Sequence, residues 1–244
     1  MRRHNEMTAH RTRFIGVPLT LDTQDIYLPK HCIENALRNA MSLFQGRFLD
    51  VGCGEKPYHH ILMVNGGGIT EYIGIDLDPE ITGASAGTCP DIFWDGIKIP
   101  LADASVDSAM ATEVLEHCPD PACVLAEVHR VLRGNGTFFM TVPFLWPLHN
   151  VPYDEYRYTP YSLKRLLENA GFVDVEVRPL GGWNASLAQM IGLYVQRAPM
   201  GNIKRRILRR VAFPIVRYLI KNDRLPDLKT DTMITALSAT AHKR

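Results

Sequence analysis

The chain has 244 residues, 46% hydrophobic and 22% charged, with 27 Lys+Arg against 26 Asp+Glu for a formal charge of +1. That length holds one α/β domain with a full core plus an appendage. The balanced charge gives no general basis for a nucleic-acid partner, which needs a concentrated basic surface, and no apolar run reaches bilayer-spanning length. Five cysteines, an odd number without disulfide-framework spacing, point to reduced thiols and a cytoplasmic setting.

In chain order, the first residues carry Arg2, Arg3, Arg11 and Arg13, with Glu6 the one acid before Asp22. They lack the apolar core of a secretory signal and read as an arm. From Pro29 to Phe44, apolar residues at Ile33, Leu37, Ala40, Met41 and Phe44 form a helical stripe, so residues 1–45 are expected to be arm and helix. Strands are expected over 47–51, 71–75, 90–94, 106–111 and 137–142. Before the last of these, Asp120 is expected to cap a helix, with Pro121 in its first turn. Val124, Leu125, Val128, Val131 and Leu132 would form its buried face, and Gly134 its stop. A helix over 161–170 closed by Gly171 and a sixth strand over 173–177 follow. Strands alternating with helices imply βαβ units and a doubly wound, mostly parallel α/β sheet. In such sheets ligands sit beyond the carboxyl ends of the strands, where Gly52, Asp76, Asp95 and Glu113 fall.

The first chemistry-bearing pattern lies between Phe48 and Asp76. Phe48 to Gly54 reads as a strand entering a glycine turn through Asp50-Val51-Gly52-Cys53-Gly54, and Tyr72 to Asp76 as a strand ending in a carboxylate. The glycines permit close backbone approach to a ligand, and the helix that follows offers unpaired N–H groups. Asp76 can accept from both hydroxyls of a ribose. A dinucleotide turn wants a third glycine three residues after Gly54, where Pro57 stands.

With these residues the chain resembles the class I, Rossmann-like methyltransferases that use S-adenosylmethionine. The likeness runs over about 46–180 and includes the glycine turn, Asp76 with Leu77 beside it, Asp95 and Gly96 after Trp94, and the stretch Leu101 to Asp107. It continues through Glu113-Val114-Leu115-Glu116-His117 and Val131 to Gly136. The resemblance implies a seven-stranded sheet with an antiparallel last strand, for which Thr232 to Ala241 is the candidate within the final segment 230–244. It also implies a cofactor site at Asp50, Gly52, Cys53, Gly54, Asp76, Leu77, Asp95, Gly96 and Glu113, and S-adenosylmethionine as the cofactor. Residues 181–229 are then a helical insertion, a place to look for specificity.

Pro143 to Pro160 begins where the fifth strand ends and resembles an H-x-x-P-x-D/E-x-x-R-[YF]-T segment of sugar- and envelope-modifying methyltransferases. Two readings stand for His149, a base for a hydroxyl acceptor or a loop histidine bonded to backbone. Asp154 and Arg157 read as an ion pair fixing the loop; with Trp146, Tyr153 and Tyr158 they are also candidate substrate contacts. Glu113 and His149 are the candidate catalytic groups. His117 reads as a structural histidine that could also reach the site. Cys118 and Cys123 have no second Cys/His pair at ligand spacing, so no metal is expected.

Nitrogen-modifying relatives commonly carry Asn/Asp-Pro-Pro-aromatic where this chain has Ala111-Thr112-Glu113-Val114, so a nucleic-acid partner is not expected. A small-molecule or glycan acceptor methylated on oxygen is. Lys204 to Lys221 holds seven basic residues and no acid, with Ile207, Leu208, Val211, Ile215, Leu219 and Ile220 at helical spacing. It reads either as an interfacial anchor serving a lipid-linked acceptor at the membrane or as a helix packed on Leu187, Met190, Ile191 and Leu193, with Pro214 kinking it or opening a second helix. A catalytically silent cofactor-binding partner subunit is the reading from outside enzymes. The oligomeric state is open.

Overall fold

The computed structural model describes residues 14–65, 67–78, 90–229 and 233–244. The basic arm of residues 1–13 and the expected strand start at Thr232 lie outside these. Seven strands, β1 (Gln45–Val51), β2 (Gly68–Leu77), β3 (Ile92–Trp94), β4 (Val106–Thr112), β5 (Leu132–Pro143), β6 (Val173–Leu180) and β7 (Ala236–His242), form one sheet in the order β3-β2-β1-β4-β5-β7-β6. The first five pair in parallel. β7 runs against β5: Asn135 N donates to Lys243 O near one end of the pair and Phe144 N to Thr235 O near the other. The strand order reverses between β1 and β4, where ligands of doubly wound sheets bind. Phe48, Leu49 and Val51 are fully buried there, as expected for a strand covered on both faces.

The helices are α1 (Tyr27–Ala40), α2 (His59–Asn65), α3 (Pro121–Val131), α4 (Pro160–Asn169), α5 (Trp183–Arg197) and α6 (Asn202–Lys221). The stripe read on α1 is buried, with Ile33, Leu37, Ala40 and Met41 facing inward. In α3, the Asp120 side chain accepts from Cys123 N at 3.1 Å, and Val124, Leu125, Val128 and Val131 are buried. The expected stop at Gly134 is corrected: α3 ends at Val131, and Gly134 already lies in β5. The Lys243 ammonium donates to the carbonyls of His129, Arg130 and Leu132 at 2.7, 3.3 and 2.8 Å, and Ala104 N and Ser105 N donate to those of Arg130 and Val131. With its last carbonyls satisfied from distant chain, the helix needs no glycine cap. In α4, Thr159 and Ser162 form a reciprocal capping box, and Gly171 closes the helix at φ +96°.

The chain divides into two compact units. The larger comprises Ala36–Pro143, Pro147–Arg178 and Ser238–Arg244 and holds most of the sheet; the other comprises residues up to Asn35, Phe144–Trp146 and Pro179–Leu237. The segment before Asn35 thus groups with the insertion, a partition the sequence boundaries at 45 and 181 do not follow. Gln189 Nε2 donates to Asp25 O at 2.9 Å, Arg197 pairs with Asp25 at 2.8 Å, and Gln196 Nε2 donates to Leu21 O at 2.6 Å. A Cβ on Gly192 would lie 2.3 Å from Gln24 O, so only glycine admits this approach.

α6 runs unbroken through Pro214. Its apolar residues divide: Ala212, Val216 and Leu219 are buried, Val216 and Leu219 clustering with Ala188 of α5, whereas Ile203, Ile207, Val211, Ile215 and Tyr218 are exposed. Of the residues expected to receive α6, Ile191 packs against it together with Ala188, whereas Leu187 and Met190 are exposed with Trp183 and Tyr194 as a stripe along α5. The start of α5 is capped from the far end of α6, where the Asp223 carboxylate accepts from Gly182 N at 3.0 Å and Ala185 N at 2.8 Å. An anion at a helix amino terminus satisfies otherwise unpaired amides and meets the positive end of the helix dipole. Asp223→Ala is expected to cost about 1–2 kcal/mol of stability, the range for a lost cap. Urea denaturation followed by circular dichroism measures it, and an unchanged midpoint would remove the cap from this account.

Candidate active site

The cofactor side is built where β1 and β2 end. Gly52 has φ +67°, and a Cβ there would fall 2.5 Å from Val114 Cγ2, so the turn after β1 is fixed by conformation and by space. At Gly54, with φ +53°, a Cβ would meet nothing within 4 Å, and the N–H is directed to Asp76 Oδ2 at 2.8 Å. The other oxygen of Asp76 accepts from Leu77 N at 2.8 Å. Both oxygens keep lone pairs for a ligand's hydroxyls. Burial raises the Asp76 pKa, against the bonds from Leu77 and Gly54, which lower it.

Asp50 is buried beneath the turn, with Oδ2 accepting from the Tyr72 hydroxyl and Oδ1 without a partner among the described residues. Burial is the largest cause lifting its pKa to about 7, opposed by the Tyr72 bond. Cys53 is buried and its N–H donates to Ile75 O at 3.0 Å, tying the turn to β2. Beyond β3 an open cleft of about 300 Å3 is lined by Asp78, Phe93, Trp94, Asp95, Lys98 and Pro100. Asp95 Oδ1 accepts from Ile97 N and Lys98 N at 2.8 and 2.9 Å, bonds that lower its pKa, and Gly96 turns the chain at φ +80°. A glycine turn with open space at Gly54, a carboxylate at the end of β2 and a cleft with an aromatic wall and an acid at its rim fit an adenosine bearing a short polar tail.

The acceptor side is built after β4. Glu113 adopts φ +57°, its N–H donates to Thr141 O at 3.0 Å, and its Oε1 accepts from Thr141 Oγ1 at 2.9 Å. A left-handed glutamate at a strand end is a strained feature of the kind found at functional sites. A 3-10 turn over Leu115–His117 follows, and residues 153–158 are laid across it. Glu155 N and Tyr156 N donate to Glu116 O at 2.8 and 3.2 Å, and the Tyr158 hydroxyl donates to Leu115 O at 3.1 Å. Tyr158 is buried, so it bolts the segment down rather than offering a pocket wall; Tyr153 is half exposed.

Asp154, 2% exposed, accepts from Arg157 at 2.6 and 2.8 Å, from His149 N at 3.0 Å, and contacts His149 Nδ1 at 3.2 Å. The ion pair read from sequence is present, and the Arg157 guanidinium holds the Asp154 carboxyl well below the usual range. Because a carboxylate only accepts, His149 places its proton on Nδ1 and leaves Nε2 as a lone pair. Burial and then the neighbouring His117 lower the His149 pKa, against the pull of Asp154. His117 Nδ1 lies 2.9 Å from Tyr153 O, which fixes the same tautomer, and the two imidazoles meet edge to face with centroids 4.6 Å apart. Glu116, fully buried, receives no hydrogen bond from another of the described residues on either carboxylate oxygen. Burial, and next the charge of Glu113, push its pKa up.

The structure thus joins His149, Asp154, Arg157 and Tyr153 with Glu116 and His117. Trp146 belongs to the other unit, where the Arg197 guanidinium stands 4.7 Å over its ring. Sequence reasoning missed Glu116. Its signal was an acid three residues after Glu113 and beside His117, in a stretch whose other neighbours, Val114 and Leu115, are apolar.

Comparison with known proteins bears on the fold and the domain. Residues 49–140 match the model of a methyltransferase domain. The chain is 34% identical over 137 residues to a ubiquinone biosynthesis O-methyltransferase of Paracidovorax citrulli, covering 50% of this chain and 56% of that one. It is 36% identical over 141 residues to a Mycobacterium tuberculosis protein named probable S-adenosylmethionine-dependent methyltransferase, covering 52% and 48%. The chain therefore spans about half the length of the curated relatives it matches. Its fold is shared with a SAM-dependent methyltransferase of Archaeoglobus fulgidus at TM-score 0.53 and 20% identity, over 87% of this chain and 94% of that one. On its sheet order, glycine turn and matched pattern, the chain carries over residues 49–140 a methyltransferase domain on a Rossmann-like fold, and the cofactor of that domain is S-adenosylmethionine.

Proposed function

We propose that the protein transfers a methyl group from S-adenosylmethionine to an oxygen of a small-molecule or glycan acceptor. The observation that carries the oxygen reading is the group of Glu116, His117 and His149: a buried carboxylate and two imidazoles whose free nitrogens are lone pairs. When bound, the cofactor supplies a methyl group on a sulfonium, already electrophilic, so the protein has mainly to hold a nucleophile in line. A hydroxyl nucleophile must also lose its proton, and this group can take it or weaken its hold. Asp154 orients His149, while Asp76, with Gly54 and Leu77 fixing its carboxylate, would hold the ribose. Similarity to an O-methyltransferase over half the chain supports the same reading.

A second reading concerns where the acceptor resides. No helix among the described residues is long and apolar enough to cross a membrane. Yet α5 and α6 each expose an apolar stripe, Trp183, Leu187, Met190 and Tyr194 on one and Ile203, Ile207, Val211 and Ile215 on the other. Lys204, Arg206, Arg210 and Lys221 are exposed on α6, whereas Arg205 donates to Ala198 O, Arg209 to Leu21 O, and the Arg217 guanidinium stands 5.8 Å over the Phe213 ring. Apolar side chains beside uncommitted cations are the composition of an element that lies on anionic lipid. In this reading the acceptor is lipid-linked.

Three outcomes follow. Asp76→Ala should weaken S-adenosylhomocysteine binding by about 1.5–3 kcal/mol, the worth of a hydrogen bond to a charged group, as read by calorimetry. Near-normal affinity in a folded variant would place the ribose elsewhere. His149→Ala should lower turnover roughly a hundredfold with cofactor affinity unchanged, as for lost proton-transfer assistance, and normal turnover would return His149 to a loop role. Anionic vesicles should sediment the wild type at low salt, each surface cation contributing about 1 kcal/mol, and lose it at high salt. A Lys204/Arg206/Arg210→Glu variant, which spares the committed arginines, should not bind; equal behaviour of the two proteins would remove the lipid reading.

A further inference from the structure

The same group of side chains has a geometry that proton removal alone does not explain. Glu116, His117 and His149 each present one ligand atom, and the three atoms lie within 4.8 Å of one another. Glu116 is completely buried, carries two oxygens without a donor from another of the described residues, and stands 3.7 Å from His117 Nε2. Both imidazoles have committed Nδ1, His117 to a backbone carbonyl and His149 to a carboxylate. What remains are Nε2 lone pairs beside a carboxylate, three electron-rich groups with no donor among them. A single proton can join two of these; a cation satisfies all three.

We propose that Glu116, His117 and His149 form a binding site for one divalent transition-metal ion. The outer contacts are those that ligating histidines use, with Nδ1–H given to a carbonyl or carboxylate so that ring orientation and tautomer are set in advance. Two nitrogens and one carboxylate oxygen suit Zn2+, Fe2+, Co2+ or Mn2+ better than Mg2+ or Ca2+, which prefer oxygen throughout. Ligand atoms around such an ion lie roughly 3–3.5 Å apart, so the three, within 4.8 Å of one another, draw together by at most about 1.8 Å on binding. Three protein ligands leave coordination positions open, as catalytic sites do.

The role of the ion rests on the oxygen-acceptor reading above. An acceptor hydroxyl in an open position becomes more acidic and releases its proton to solvent. Its oxygen then forms the bond to the methyl carbon as the carbon–sulfur bond breaks, and that electron pair remains on sulfur as the neutral thioether. His149 acts here as a ligand rather than as the proton acceptor, and Asp154 as the residue that positions it.

The test uses the tag-free full chain, stripped with chelator and titrated with Co2+ and with Zn2+ by calorimetry, with visible absorption for Co2+. About one equivalent should bind, with a Co2+ band typical of low coordination number. His117→Ala and His149→Ala should each weaken binding at least about tenfold, the lower end of the loss seen for even outer-shell partners. His59→Ala, on α2, should leave binding unchanged. Buried Glu116 is a poor substitution site, so the two partly exposed histidines carry the test, with circular dichroism confirming that each variant folds. No binding of either ion at millimolar concentration, or binding that survives both histidine substitutions, would overturn the site. S-adenosylhomocysteine titrated into the same samples separates the two inferences. If it binds and metal does not, only the metal site falls; if metal binds and no hydroxyl acceptor is methylated, only the oxygen-acceptor reading falls.

Discussion

A buried acid without a donor is the constraint around which the acceptor side of this molecule is arranged. Removing a carboxylate from water is costly unless something compensates it, and burial accordingly pushes the Glu116 pKa up. Glu116 is nevertheless placed at zero exposure, and the surrounding chain is spent on holding it there. Its carbonyl receives two amides from the segment that crosses it, Tyr158 bolts that segment to the preceding residue, and Asp154 with Arg157 fixes the segment's course. The two imidazoles beside it have their tautomers set by partners that only accept. Rigid walls around an electron-rich centre are what preorganised chemistry needs, because the site does not have to reorganise when charge appears.

The cofactor side follows a different logic. Its groups are backbone amides and one carboxylate at strand ends, so its geometry comes from the sheet. Parallel strands must stop together at one edge, and the two glycines after β1 let the chain leave that edge with room for a ligand. Asp76 is held from both sides by amides of the turn and of its own strand end. This division leaves the cofactor platform to the fold and the proposed acceptor chemistry to two connections, the 3-10 turn after β4 that carries Glu116 and His117 and the segment after β5 that carries His149.

Much of the platform was legible in the sequence because it obeys local rules. Phe48 to Val51 and Tyr72 to Ile75 are apolar runs flanked by turn residues, and α3 announces itself through Asp120, Pro121 and its buried stripe. What was not legible depends on residues far apart in the chain. Gly134 looked like a helix stop, but Lys243, over a hundred positions later, takes that role. The apolar residues of α6 could not be sorted into buried and exposed sets without knowing that Ala188, with Ile191 and without Leu187 or Met190, faces it. Leu21 gave no hint of joining α5 and α6, since a backbone carbonyl that accepts a hydrogen bond leaves no mark on sequence. Glu116 escaped because a search for metal ligands through paired Cys and His passes over a carboxylate, and because a 3-10 turn, unlike a helix, has no sequence period to show which way its residues point.

The central claim is methyl transfer to oxygen at the Glu116–His117–His149 centre. It is tested most directly by supplying S-adenosylmethionine labelled with 13C in the transferred methyl group to matched acceptors that differ only in carrying a hydroxyl or an amine. Nuclear magnetic resonance of the products should show the label as a methoxy carbon from the hydroxyl acceptors, absent when His117 and His149 are both replaced by alanine. Label appearing on nitrogen instead, or a methoxy product undiminished in the double variant, would contradict the account.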